Sequence, residues 1–322
     1  MSNPPEPEPS VIAGERRHLT NLAYRLLGSL TEAEDAVQEG YARWYAMPRP
    51  QRAAIGSPGA WLTTVVSRIC LDVLGSARVR RERYVGEWIP EPLPDRTEWP
   101  GRPQSATDPA DRVTLDDSVH MAFLVVLESM TPAERVAFVL HDVFRYPFPE
   151  IARIVDRTPA ACRQLAASAR RRVTKAAASA TPSRQQAALL RDFKEAWQSS
   201  DIRALVTLLD PDATMVADGG GLVSTVRRTI EGSRDIAAYL MHIAALSPGL
   251  TLLQRTVNGR PGLVAQRGGV TVTVAAFHLT EGRITHIWAV RNPEKLHPWT
   301  TLTPTPTPAP PAADEAHSGA ES

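Results

Sequence analysis

The sequence predicts a multidomain chain. Two all-α domains, the second a helix-turn-helix, are joined by a proline-rich linker and followed by an α+β domain. Three observations predict this. Thr131-Pro132-Ala133-Glu134 and Thr158-Pro159 are helix starts separated by a second break at Pro147-Phe148-Pro149. Prolines crowd the stretch Tyr84–Asp111. Near the C-terminus, Val270-Thr271-Val272-Thr273-Val274 alternates with the period of a half-buried strand. The boundaries expected are 11–83, a linker over 84–114, 115–178 and 184–299, with a disordered Thr/Pro tail over 300–322.

The chain has 322 residues, enough for two or three domains, and a net charge of only +1. The basic residues are clustered, at Arg78–Arg83 and Arg170–Arg172, and patches matter more than totals for nucleic-acid contact. There are 2 cysteines, Cys70 and Cys162, without a partner at metal spacing, so no disulfide framework or metal site is expected and both read as buried. No apolar run is long enough to span a membrane, and Ser2–Ser10 is unlike a signal peptide, so a soluble cytoplasmic protein is expected.

In the first domain, Leu19, Leu22, Ala23, Leu26 and Leu27 form one apolar stripe. Gly28–Thr31 is a break, with Thr31 read as the cap of a second helix whose first turn carries Glu32, Glu34 and Asp35. Met47–Gly59 reads as a loop, and Ala60–Arg83 as a helix with an arginine-rich end. A loop before an aromatic-bearing basic helix suits single-stranded DNA, although Trp61 serves equally well as core. In the linker, the density of proline around Trp88-Ile89-Pro90-Glu91-Pro92-Leu93-Pro94-Asp95 forbids helix and favours extended chain. Its acidic residues follow the basic Arg78–Arg83, and a plain rigid spacer explains this composition.

In the second domain, Leu115–Met130 reads as a helix, then Thr131 onward as another. Glu150–Val155, the turn Asp156–Thr158 and a helix through Val173 make the helix-turn-helix pattern. The last helix would enter the major groove, with Leu165, Ala161 and Ala169 inward and Arg163, Gln164 and Ser168 outward. An ordinary helical hairpin with a solvated basic end gives the same pattern. In the last domain, Arg184–Ser200, Asp201–Leu209 and Ile230–Leu246 read as helices. Thr214–Ala217, Leu250–Thr256, Gly262–Gln266, Val270–Leu279 and Ile284–Val290 read as strands. Helices first and then antiparallel strands suggest a curved sheet.

Glu34-Asp35-Ala36-Val37-Gln38-Glu39, Ala60-Trp61-Leu62, Arg68-Ile69-Cys70-Leu71-Asp72 and the helix-turn-helix follow one another as in bacterial extracytoplasmic-function sigma factors. The chain resembles that family over roughly 11–83 and 115–176. The resemblance implies that Asp35, Gln38, Glu39, Arg43 and Trp44 dock on the clamp helices of core RNA polymerase. It implies that Met47–Arg83, with Trp61, Thr64, Arg68, Arg78, Arg80 and Arg81, opens and reads the −10 element of promoter DNA. It implies that Arg163, Gln164, Ser168 and Arg171 read the −35 element. Ala167 and Ser168 depart from the bulkier or basic residues often found there.

The last domain resembles SnoaL-like members of the nuclear-transport-factor-two-like superfamily, a cystatin-like cone. Trp88–Asp95, Asp218–Gly221 and Asn292–Leu296 sharpen the resemblance to the sigma-J-like subgroup, which carries this domain fused. The resemblance implies regulation in cis without a separate anti-sigma partner. It implies regulatory roles for Trp88, Pro90, Glu91 and Pro92, for Asp218, Gly219, Gly220 and Gly221, and for Asn292, Pro293, Glu294, Lys295 and Leu296. Leu222 departs from the Lys often found after the glycines. No cofactor is expected, and the cone offers a pocket for a small-molecule ligand. Two other readings predict differently: a ligand-sensing helix-turn-helix repressor, and a tethered enzyme using Asp218 or His278.

Overall fold

The computed structural model describes residues 9–81, 84, 86–95, 119–177, 183–226 and 228–300, with side chains omitted at 9–14, 77–81, 175–177, 183 and 300. Most of the linker, Trp99 and the Thr/Pro tail lie outside the described residues.

The first domain packs α1 (Pro9–Leu27), α2 (Leu30–Ala46), the short α3 (Arg49–Ala53) and α4 (Pro58–Arg81). Leu19, Leu22, Ala23, Leu26 and Leu27 are all fully buried, so the stripe is the core face. The cap of α2 is Ser29 rather than Thr31: its hydroxyl accepts the Glu32 amide, and Thr31 is already helical. The stretch read as a loop holds α3, because Pro48 leaves Arg49-Pro50 a ready first turn.

The second domain contains α5 (Met121–Glu128), α6 (Pro132–Phe138), α7 (Phe148–Val155) and α8 (Pro159–Ala177). Thr131 and Glu134 form the reciprocal capping box expected. After α6 the chain widens into a π-helical turn, Val139–Val143, which the sequence does not announce. Asp156 ends α7 in the left-handed conformation, and the Thr158 hydroxyl caps α8 through the Ala161 amide. Cys162, Ala166 and Ala169 are the fully buried positions of α8, with Ala161 and Leu165 at their flanks. The two helical domains share one apolar core: buried residues of α1, α2 and α4 run continuously into those of α5 to α8.

The third domain places α9 (Ser183–Gln198), α10 (Ile202–Leu208) and α11 (Ser233–Leu246) on a sheet of β1 (Leu209–Asp218), β2 (Ile230–Glu231), β3 (Leu250–Val257), β4 (Arg260–Arg267), β5 (Val270–Thr280) and β6 (Arg283–Val290). The order is β2-β1-β6-β5-β4-β3. β1 runs parallel to β6, which corrects the antiparallel expectation. Asp210-Pro211-Asp212 lies in the irregular start of β1, ahead of the strand expected over Thr214–Ala217, where the register with β6 shifts between Leu209 and Thr214. Three hairpins close on residues with positive φ, Asn258-Gly259, Gly268-Gly269 and Glu281-Gly282. Alternation gives the sheet two apolar faces. Leu263, Phe277 and Ile287 face the helices, while Val264, Trp288 and Val290 face away. The away-facing surface is covered by Ile89 of the linker, Met121 of α5, and Leu296 and Trp299 of the segment ending in α12 (His297–Thr300).

Candidate functional site

The linker residues 89–94 are buried, an unusual place for a proline-rich connector. Proline keeps this strip extended and removes amides that would need partners, and the amides that remain are all held. The Glu91 amide donates to Gly28 O at 2.8 Å, and the Leu93 amide donates to Asn258 Oδ1 at 3.0 Å. The Asn258 amide returns a bond to Leu93 O at 2.8 Å, and Pro94 bridges Val257 in antiparallel fashion, so the linker extends the β3 edge.

The Ile89 amide donates to Asp218 Oδ2 at 3.0 Å. That oxygen also receives Lys295 Nζ at 2.7 Å, while Oδ1 receives the Tyr84 hydroxyl at 2.7 Å and the Gly220 amide at 3.0 Å. Asp218 is fully buried, so its charge depends on these four donors. Lys295 Nζ donates further to Ile89 O and sits 4.0 Å from the centre of the Trp88 ring, a cation–π contact. Asn292 turns the chain, its Nδ2 donating to the Tyr84 hydroxyl and its Oδ1 accepting the Glu294 amide. The glycine loop exists for close approach: a Cβ on Gly220 would lie 2.5 Å from Asn292 Nδ2, and its φ is +63°. Trp299 Nε1 donates to Pro92 O at 2.8 Å.

The other side of the strip meets the first domain. Glu91 Oε2 accepts the Leu30 amide at 2.8 Å and the Ser29 hydroxyl at 3.3 Å, placing a carboxylate at the start of α2. Burial nevertheless pushes the Glu91 carboxyl up to about 7, against these bonds and the Lys295 charge, which pull it down. The Tyr24 hydroxyl donates to Glu91 O and accepts from Asn258 Nδ2, joining all three parts through one atom. Trp88, Pro90, Glu91, Pro92, Asp218, Gly220, Asn292, Lys295 and Leu296 therefore converge on one clasp, with Gly219 and Gly221 shaping its loop. Pro293 and Glu294 are exposed on the turn outside it. The sequence reasoning missed Tyr24, Tyr84, Asn258 and Trp299. Only Trp299 carries a signal, as an indole directly before a Thr/Pro tail.

The helical surfaces are arranged differently. Asp35, Gln38, Glu39 and Arg43 are exposed on α2, with Arg43 paired to Glu39 at 2.8 Å. Trp44 is not on that surface: it is 1% exposed and packs on Trp61, ring centres 5.3 Å apart, so it is core. Thr64 bonds its own helix at Ala60 O, and the Arg68 guanidinium donates to Arg153 O of α7 at 2.6 Å. The side chains of Arg78, Arg80 and Arg81 lie outside those described. On α8, Arg163, Gln164 and Arg171 are exposed, but Ser168 is half-buried, on the side of the helix toward Glu134 rather than fully outward. Arg135 crosses between the helical domains, donating to Leu26 O and Glu128 Oε1, and burial pulls its guanidinium down to about 9. Tyr146 bridges His18 and Thr63 at 3.1 Å each.

The sequence profile of Sigma-70 region 2 matches residues 11–83, and that of Sigma-70 region 4 matches 120–173. The ECF RNA polymerase sigma factor SigJ of Mycobacterium tuberculosis (strain H37Rv) is 36% identical over 302 residues, covering 90% of this chain and 93% of the relative. The chain is an extracytoplasmic-function sigma factor. The probable ECF RNA polymerase sigma factor SigI of M. tuberculosis (strain CDC 1551) is 35% identical over 91% of this chain and 96% of its own length. The crystal structure of M. tuberculosis SigJ covers 92% of this sigma factor and 99% of itself, with a TM-score of 0.70 at 33% identity. This sigma factor thus gives core RNA polymerase its promoter specificity at initiation, and the repressor reading is not favoured. Of the enzyme candidates, Asp218 points into the clasp rather than a pocket, and His278 and His286 pair with each other on β5 and β6, ring centres 5.8 Å apart. Among the described residues no helix is long and apolar enough to cross a membrane.

Proposed function

We propose that the C-terminal domain holds this sigma factor closed in cis, by gripping the linker between its two helical domains. The observation that carries this reading is the double grip on Ile89–Leu93. One side of the strip is bonded to Gly28, Leu30 and Tyr24, and the other to Asp218, Asn258, Lys295 and Trp299. In this arrangement Arg68 is occupied by Arg153, and α4 lies against α7, so the two helical domains cannot each sit on a separate promoter box. Opening frees Arg68 to join Trp61, Thr64, Arg78, Arg80 and Arg81 at the −10 element, and lets Arg163, Gln164 and Arg171 reach the −35 element. Asp35, Gln38, Glu39 and Arg43 dock on the clamp helices without any opening, because they are already exposed; Trp44 supports that helix from beneath.

Run-off transcription with purified core polymerase tests this. The full chain is compared with Lys295→Met and with a chain ending at Val290, which lacks Asn292–Leu296. Both altered proteins are expected to transcribe more per bound polymerase than the full chain. Equal or lower output at equal core binding would overturn the closed-state reading. Reversal of charge at Asp35 and Glu39 together is expected to abolish core binding, and retention of binding would remove those residues from the docking surface.

A further inference from the structure

The concave side of the C-terminal sheet encloses a cavity of about 450 Å³, in the range of small-molecule sites. Its wall is largely apolar, with Phe193, Trp197, Met215, Leu240, Leu263 and Ile287 among the lining residues. Its formally charged groups have one sign. Arg291 and Arg267 line it, while Asp and Glu are absent from the described lining residues. Arg291 Nη1 donates to Ser224 O at 2.7 Å, but its Nε is buried with no hydrogen-bond partner. A buried guanidinium N–H left unmade is costly, and an acceptor entering the cavity would satisfy it. Tyr239 lines the same cavity and brings a hydroxyl that can donate. Leu246, 68% exposed, extends the apolar lining to the mouth.

We propose that this cavity binds a small apolar carboxylate, with the carboxylate on Arg291 and Tyr239 and the apolar body against Phe193, Trp197 and Leu240, and that its occupancy tightens the linker clasp. The second half rests on the closed-state reading above. The cavity and the clasp share a wall. Ser224–Val226 line the cavity, and the loop they close begins at Asp218–Gly221. The Arg291 amide also donates to Asp218 O at 2.7 Å. Release of the clasp loosens this wall, so a ligand that needs the wall intact favours the clasped state by linkage.

The probe is 2-naphthoate, titrated into the full-length protein by calorimetry, with 2-naphthylmethylammonium as the matched cation. Saturable one-to-one binding is expected, with the cation at least about tenfold weaker because it forfeits the charge-assisted bond. Arg291→Gln is expected to erase that preference. Ala275→Phe, which fills the cavity, is expected to abolish binding with unchanged far-UV circular dichroism. Bound naphthoate is expected to slow hydrogen exchange at the Leu93 amide. Absence of saturation, equal binding of the cation, or binding that survives Ala275→Phe would overturn the site. Binding without slower Leu93 exchange would overturn the coupling. Neither measurement uses polymerase, so failure here leaves the transcription test untouched.

Discussion

Asp218→Asn tests the clasp at its centre. Each carboxylate oxygen accepts two donors: Oδ1 takes Tyr84 and Gly220, and Oδ2 takes Ile89 and Lys295. An amide in this place therefore turns its NH₂ against two donors whichever way it is flipped. The Tyr84 hydroxyl can rotate away, but the Gly220 and Ile89 amides cannot. The substitution also strands Lys295, whose side chain is only 10% exposed, without its counter-charge. Breaking a buried pair from one side costs about 3–5 kcal/mol. At about 1.4 kcal/mol per decade, linker release becomes roughly a hundred- to several-thousandfold more frequent. The assay is native-state hydrogen exchange at the Leu93 amide, which bonds to Asn258 and so reports release of the strip rather than loss of one bond. The double variant Asp218→Asn/Lys295→Met leaves neither charge stranded, so its cost should fall below the sum of the two single costs. An unchanged Leu93 rate in a folded Asp218→Asn protein, or strict additivity in the double variant, refutes the reasoning.

Three further outcomes follow from the same contacts. Glu91 has a folded-state value near 7 against an ordinary 4.5, so its neutral form is favoured in the clasp; that contribution is complete below about 4.5 and is lost as pH rises through 7. Acidification from pH 8 to 5 should thus slow Leu93 exchange, after correction for intrinsic rates, by no more than the equivalent of about 3 kcal/mol. Glu91→Gln should flatten that dependence while still accepting the Leu30 amide. Gly220→Ala should accelerate Leu93 exchange, through left-handed strain of about 1–2 kcal/mol plus the clash with Asn292. Gly249→Ala carries similar strain at φ +86° but meets nothing within 4 Å, so equal effects on Leu93 would deny the steric part. Tyr24→Phe should cost about 1–3 kcal/mol of clasp stability, because it leaves Asn258 Nδ2 and Glu91 O without their shared partner, and unaltered exchange at Glu91 and Leu93 would show the bridge to be idle.

The elements legible in the sequence are those set by neighbours along the chain. Thr131 and Thr158 cap what they precede, and the Val/Thr alternation forms β5. Contacts set across the chain were harder to read. The parallel pairing of β1 with β6 depends on where α11 returns the chain, and no local residue encodes it. Trp44 sits on the helix that carries the exposed Asp35, Gln38, Glu39 and Arg43, but helical rotation turns it inward onto Trp61. Asn258-Gly259 announces a hairpin, which it makes. Nothing in that dipeptide announces that the Asn258 side chain also binds Leu93 and Tyr24. The three motifs from the sequence reading were separate strings, and their meeting at Asp218 is a property of the fold alone.

That meeting explains why the linker is built from proline and acid together. Proline leaves few amides, so the strip can be buried at little polar cost, and the few that remain are each matched by an acceptor on one of the flanking domains. Glu91 then supplies an acceptor to α2 that the helix start would otherwise take from water. Departure of the strip would take these partners from Leu30, Asn258 and Asp218 together and leave water to replace them. The closed state therefore depends on cooperation: loss of one grip lets water reach the others. On the proposed closed-state reading, a single local change at Lys295 or at the glycine loop is therefore expected to weaken the whole grip on the strip, while the apolar core shared by the two helical domains still has to part before they separate.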